Sequence, residues 1–252
     1  MEAMTATPEW FIRTDEATSE VMGRIASSTS ANSMSLQVRF LPQKAHWFLL
    51  DSLFLANQAN REGMHANALS LTRQCVEAMS VVELGLCGHK DAESILLKWE
   101  KDDMTPGKLR AWLEENVWPA YGSGLWSEPW ATFVRQFAAA LQPYAHYSTK
   151  LAQWQDQLLP DAGGDQTQKM IRIARRAYDP QKATRITLLH AILTYVLGRI
   201  YLAAHKDTEL SPLVLRLGSA LSNSKYLDGH ATDWSQQFWA MLCSTSGATV
   251  LE

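Results

Sequence analysis

Apolar residues recur every three or four positions along most of this chain, and strand-like alternation is confined to a short run at 36–41. That period dictates amphipathic helices and predicts an all-α protein, an antiparallel helical bundle with a helical C-terminal extension. A first helix is expected from Pro8, which suits a first helical turn, to the small polar stretch at 27–33. Further helices are expected over 43–61, 65–86, 92–101 and 106–116, with Gly63 and the Gly85/Gly88 pair as breaks. A long helical region follows from 128 to 158, kinked or restarted at Pro143. The run Pro160-Asp161-Ala162-Gly163-Gly164-Asp165 reads as a boundary, with Asp165 placed to cap a helix over 166–178. Helices at 181–205, 211–222 and 232–243 complete the pattern. The chain therefore divides into an N-terminal helix and flexible linker (1–35), a helical bundle (36–159) and a C-terminal helical extension packed on that bundle (160–252).

Charge and cysteine usage narrow the function classes. A net charge of −3 gives no global pull toward nucleic acid or acidic membranes. Cys75 and Cys87 lie on one expected helix, roughly 18 Å apart at ~1.5 Å per residue, too far to pair. With Cys243 alone and no CxxC, the pattern fits a reducing cytoplasm and excludes a zinc framework of the usual spacing. Glu2, Glu9 and Asp15 interrupt the N-terminus, so neither a leader nor an anchor is expected. The most apolar tract, 186–204, contains His190, Thr194, Gly198 and Arg199, which argues against a membrane span. There is no Gly-rich phosphate loop, HExxH or nucleophile elbow, so no metal or cofactor is expected and no reaction is named.

Two constellations carry chemistry. On the 65–86 helix, Leu71, Cys75, Ala78 and Val82 form one apolar stripe, while Ser70, Arg73, Gln74, Glu77 and Ser80 lie roughly opposite. Arg73 and Glu77, four apart, can pair, and a guanidinium fixed by a carboxylate can offer its other donors to a phosphate. The plainer alternative is an internal ion pair that only orders the helices. In the second, a helix opening at Pro143 would bury Tyr147, Leu151, Trp154 and Leu158 and place His146, Lys150, Gln153 and Gln157 on a polar edge. His146 would then be an acid, a base or a phosphate donor; the alternative is a half-buried histidine bonded to a carbonyl.

The string from Ala68 through Arg73 and Glu77 to Ala78 resembles the A-x-x-L-x-R-x-x-x-E-A helix of a prokaryotic branch of HEPN-like helical domains. Leu141-Gln142-Pro143-Tyr144-Ala145-His146-Tyr147-Ser148 is similar to the L-x-x-Y-x-H-x-S helix of the same branch. The resemblance implies an antiparallel bundle at 36–159, often dimeric, of a kind found in RNA-cutting toxins, defence-system components and non-catalytic relatives. It places Arg73, Glu77 and His146 at the bundle centre as candidate catalytic residues and makes RNA the expected partner. A second copy or a partner protein is the alternative.

Active ribonucleases of this kind carry an arginine followed, after four to six intervening residues, by a histidine, the arginine stabilising phosphorane charge while the histidine moves a proton. Arg39 with His46, Arg185 with His190 and Arg199 with His205 match that spacing, but Phe40, Ile186 and Ile200 stand where a polar residue is usual. The signature is degenerate; a ribonuclease is the one enzyme class it leaves open, with Arg185 and His190 as the secondary candidates.

Two local excesses remain. Lys169, Arg172, Arg175, Arg176, Lys182 and Arg185 face one acid, Asp179, and on the expected 166–178 helix Lys169, Arg172 and Arg176 share a face that can contact phosphate. Solvated charges paired to acidic neighbours are the plainer reading. The chain has ten tryptophans, and Trp112, Trp118, Trp126 and Trp130 cluster with Tyr121 around a Gly-Ser-Gly turn. Core filling accounts for them better than base stacking, because indoles are costly to expose.

Overall fold

The computed structural model describes residues 7–158, 171–173 and 175–224. The protein is an all-α helical bundle. Its helices are α1 (Glu9–Ser30), α2 (Leu41–Arg61), α3 (His65–Leu86), α4 (Ala92–Glu100), α5 (Pro106–Asn116), α6 (Trp130–Leu141), α7 (Thr149–Ala152), α8 (Pro180–Ala204) and α9 (Leu210–Ser222). A small antiparallel ribbon, β1 (Asp156–Leu158) with β2 (Ile171–Ile173), pairs Gln157 with Arg172 at its centre.

Helix α3 runs through the middle. It packs along α2 on one side and α8 on another, and also meets α1, α4, α5, α6 and α7. Such a position demands a helix buried around most of its circumference, and α3 buries Leu69, Cys75, Val76, Met79 and Val82 together with polar Thr72, Arg73, Ser80 and Glu83. The α2–α3 hairpin turns at Gly63, whose φ of +73° suits glycine. A Cβ there would also meet the Tyr178 backbone nitrogen at 2.6 Å.

That turn is locked to α8 by a polar clamp. Asp179 caps α8, its Oδ1 accepting from the Gln181 and Lys182 backbone N–H groups. The Asp179 backbone N–H donates to His65 Nε2 at 3.1 Å, which leaves His65 Nδ1–H to donate to Asn60 Oδ1 at 2.9 Å. Asn60 Nδ2 completes the loop by donating to the Ala183 carbonyl at 3.0 Å.

By length and hydropathy α8 could cross a bilayer, but most of its apolar window is buried inside the bundle, against α1, α3 and α9. The same hydrophobic cluster takes in Val21 and Ile25 of α1, Leu69 and Met79 of α3, Ile192 and Val196 of α8 and Leu217 of α9. The α1–α8–α9 contact depends on Gly198, where an added Cβ would meet Val214 Cγ2 at 2.6 Å and Val21 Cγ2 at 3.3 Å. Gly198→Ala is therefore expected to destabilise the fold by about 1–3 kcal/mol through overpacking. Gly23→Ala on α1, with nothing within 4 Å of its new Cβ, is expected to be neutral or slightly stabilising. Thermal unfolding of the two variants checks this; equal melting temperatures would contradict the packing account.

The Trp112, Trp118, Trp126 and Trp130 cluster fills the core or packs against it, as expected of indoles. Trp118 and Trp130 are buried, and Trp130 lies between Tyr121 and Phe133, with Tyr195 beyond. Arg199 stacks over Trp130 at 5.1 Å and donates to Tyr195 Oη and the Tyr121 carbonyl, both at 2.8 Å. Trp126 Nε1 donates to the Ser222 carbonyl and holds the end of α9.

Several expectations need correction. Residues 36–40 form turns that lead into α2, not a strand. The helical region expected from 128 to 158, kinked or restarted at Pro143, does break at that proline but does not resume as a long helix: α6 stops at Leu141, a 3-10 turn spans Gln142–Tyr144, and α7 is a single turn before the chain becomes extended in β1. Pro143 supplies no N–H, and Ser148, itself extended at φ −143°, accepts from the Leu151 N–H and restarts the helix. Tyr147 consequently lies 82% exposed while Leu151 and Trp154 stay buried. Residues 171–173, expected as helix, form β2, where β-branched Ile171 and Ile173 suit a strand. The helix expected at 232–243 lies outside the described residues.

Candidate functional site

Arg73 and Glu77 stand one turn apart on α3. Arg73 Nη2 meets Glu77 Oε1 at 2.9 Å and donates to Gln142 Oε1 at 2.8 Å. The second contact ties α3 to the 3-10 turn after α6, and this turn carries His146 four residues further on. Arg73 is 97% buried, the complement of its 3% exposure, yet its Nε and Nη1 have no hydrogen-bond partner. A guanidinium has five N–H donors, so with Nη2 occupied three are left unsatisfied, each at a cost of about 1–3 kcal/mol when buried.

These residues border an open pocket of about 650 Å³. Leu41, Lys44, Ala45 and Phe48 of α2 form one wall and Arg73, Gln74, Glu77, Ala78 and Val81 of α3 another; Trp99 closes the α4 end, with Gln142, Ala145 and His146 opposite. His146 is exposed at the mouth. Phe48 is half exposed and continues onto an outer α2 face that also bears Trp47, Phe54 and Leu55. Behind Arg73, on α5, lies Arg110, whose Nη1 is likewise unpartnered. Burial, and then the like charge of Arg73, lower the Arg110 pKa, while Glu77 opposes them. Lys44 and Arg73 outnumber Glu77, the one carboxylate on the pocket's lining, so the pocket is weakly electropositive.

The structure brings together the three residues of the two constellations: Arg73, Glu77 and His146 all line this pocket. It does not bring Arg185 and His190 there. Arg185 is 2% exposed in the interior of α8. His190 faces α3, with Nε2 at 2.8 Å from Thr72 Oγ1; since that hydroxyl donates to the Ala68 carbonyl, His190 is the donor. Burial depresses the His190 pKa to about 4, which keeps the imidazole neutral. The other spaced pairs also diverge, His46 being buried while Arg39 lies exposed over Phe40, and Arg199 belonging to the Trp130 cluster.

The basic run does not form the expected helical stripe. Lys169 lies outside the described residues, Arg172 is in β2, and Arg176 pairs with Glu62 at 3.1 Å. Lys182 is buried, donating to the backbone carbonyls of Trp154 and Asp156. Sequence reasoning missed Lys44, Phe48, Trp99, Arg110 and Gln142. Gln142 could have been found inside the second motif, and Lys44 with Phe48 from their four-residue spacing; Trp99 and Arg110 carried no local signal.

Comparisons with protein-family models, curated proteins and solved structures found no match. Among the described residues, no group of three or more His, Cys, Asp or Glu side chains is placed to hold a metal ion. The site's chemistry is therefore that of a cationic, aromatic-edged pocket with a fixed arginine and an exposed imidazole on its lining.

Proposed function

We propose that this chain is an RNA-associated component of a prokaryotic defence or stress system, HEPN-like and cytoplasmic, that takes RNA through the α2–α3 pocket. The observation that carries this reading is the convergence of Arg73, Glu77 and His146, drawn from two distant stretches of sequence, on one open electropositive cavity. Glu77 and Gln142 hold Arg73 in place for a phosphate, Lys44 adds charge at the α2 wall, and Phe48 and Trp99 offer flat surfaces to a base. The free thiols Cys75 and Cys87 accord with a reducing compartment.

A titration with fluorescent single-stranded oligoribonucleotides tests the reading. Lys44→Ala and His146→Ala alter exposed side chains and leave the core intact; each is expected to weaken binding roughly tenfold, the scale of one charge-assisted contact. Arg176→Ala, whose guanidinium Glu62 already engages, is expected to leave affinity within about twofold. Binding by the wild type should also weaken steeply with salt. Absence of wild-type binding, or variants at the pocket indistinguishable from wild type, would remove the proposal. Incubation with total RNA adds the catalytic arm: fragments made by the wild type and not by His146→Ala would assign cleavage to this pocket.

A further inference from the structure

We infer that the outer face of α2 is the contact surface for a second copy of this chain, the two α2 helices packing antiparallel about a two-fold axis near Trp47 and Phe48. The inference does not rest on RNA binding. Helix α2 is amphipathic the wrong way round. Toward the bundle it buries mostly small or polar side chains, among them His46, Ser52, Ala56, Ala59 and Asn60, with Leu49. Outward it carries Trp47, Phe48, Phe54 and Leu55, which are 54%, 48%, 70% and 50% exposed. Their positions, with Lys44, Asp51 and Gln58, recur at three- and four-residue steps and make one continuous stripe along the helix. At about 150–250 Å² per aromatic side chain, the exposed fractions leave on the order of 400 Å² of apolar surface. One side of a standard interface buries about 800 Å², a little over half of it non-polar, so this stripe by itself supplies most of that share.

The charges on the stripe select the occupant. Lys44 and Asp51 are its only charged members, both exposed, and among the described residues neither has an ion-pair partner. At 3.6 residues per turn Asp51 falls on the midline of the stripe, where a lipid surface or an RNA strand would set a carboxylate against apolar or negative groups. The occupant must instead bring a cation to Asp51 and an anion to Lys44 across an apolar field. A second copy brings both, and because a two-fold contact is self-complementary it brings them at the same seven-residue spacing. Parallel pairing would set Lys44 on Lys44 and Asp51 on Asp51. Antiparallel pairing centred between Trp47 and Phe48 sets Lys44 of each copy opposite Asp51 of the other and closes the two indoles over the axis. It also lays Phe54 and Leu55 over Phe40 and Leu41 at the start of the other α2. Lys44 and Phe48 belong to the pocket wall as well, so the second copy borders the pocket mouth.

Sedimentation velocity and light scattering on the full chain, over a wide range of concentration, test the contact. The wild type is expected to reach twice its chain mass. Phe54→Glu alters an exposed residue outside the pocket lining and is expected to leave the circular dichroism spectrum unchanged. It should raise the dimer dissociation constant at least about tenfold, the effect of losing an anchoring side chain. Lys44→Glu and Asp51→Lys are each expected to weaken the dimer, and the double variant Lys44→Glu/Asp51→Lys to restore it, a rescue that a purely apolar contact does not produce. A chain that stays monomeric overturns the inference; its sedimentation with phosphatidylserine vesicles, abolished by Phe54→Glu, would then give the face to a lipid surface. A dimer indifferent to Phe54→Glu overturns it too, since the contact would lie elsewhere. A double variant no tighter than the single ones overturns the antiparallel pairing.

Discussion

Glu83→Gln should make this protein more stable above neutral pH and leave it unchanged near pH 4.5. Glu83 sits on α3, 1% exposed, where its Oε1 accepts from Trp118 Nε1 at 2.9 Å and Tyr121 stands beside it. Burial pushes its carboxyl from 4.5 up to about 8, against the weaker help of its hydrogen-bonding neighbours. The folded state thus keeps a proton that the unfolded chain has released, so stability falls as pH rises from 4.5 through 8. A rise from 4.5 to about 8, at about 1.36 kcal/mol per unit, amounts to roughly 5 kcal/mol. A glutamine keeps the acceptor for Trp118 and has nothing to ionise. Denaturant unfolding at pH 4.5, 6.5, 8 and 9 should give curves for the wild type and the variant that part progressively and differ by several kcal/mol at pH 9. Parallel curves would show that Glu83 ionises in the fold as freely as in water.

Most of the bundle was legible because its helices carry their own boundaries. Gly63 ends α2 in a left-handed turn and His65 opens α3 at the position the apolar period predicts. Pro106, after the cap Thr105, opens α5, and Pro180, after the cap Asp179, opens α8. What failed was continuity. Pro143 marks the first break between 128 and 158, but beyond it the apolar period runs on across Ser148, and periodicity alone does not register that the chain continues as 3-10 turns and one short helix. Nor does it foresee that the Trp154 and Asp156 carbonyls are held by the buried Lys182 amine. That hydrogen bond joins segments 26 residues or more apart, so no local pattern encodes it.

The site was half legible for a related reason. Arg73 and Glu77 are neighbours on one helix, and a four-residue spacing reveals them. His146 came through a motif, and it reaches the pocket although the helix that was to carry it is a turn. Lys44, Trp99 and Arg110 come from α2, α4 and α5, and only tertiary packing brings them near Arg73. The basic run misled because a charge count assigns every cation to the surface. Lys182 and Arg185 lie in the interior, where their long apolar stems help fill the core.

On the acid side, the same bundle should lose stability through two neutral histidines, and the loss should be larger once Glu83 is removed. His65 and His190 are each depressed from 6.5 to about 4. Burial dominates in both, reinforced at His65 by the Lys182 charge and opposed by Asp179. Protonation of His65 would place an N–H against the Asp179 N–H that its Nε2 now accepts and break the clamp between the α2–α3 turn and α8. Both pKa values are lower in the folded state, so the unfolded chain takes up protons first. The stabilisation is present above pH 6.5 and is lost as pH falls toward 4. Between 6.5 and 4.5 the two histidines remove roughly 5 kcal/mol, while Glu83, working in the opposite direction over the same window, returns roughly half of that. Wild-type stability should therefore peak near pH 6.5 and decline on both sides, and in Glu83→Gln the acid slope should about double. Adding His190→Gln, whose amide can still donate to Thr72, should halve that slope again. Asp207 does not intrude, because its hydrogen-bonded carboxylate lies below its ordinary 3.8 and yields only at lower pH. Urea midpoints at half-unit steps from pH 4.5 to 8 read all three slopes; an acid slope in Glu83→Gln that His190→Gln leaves unchanged would remove His190 from the account and leave it to the clamp at His65 and to His46, whose pKa burial also lowers.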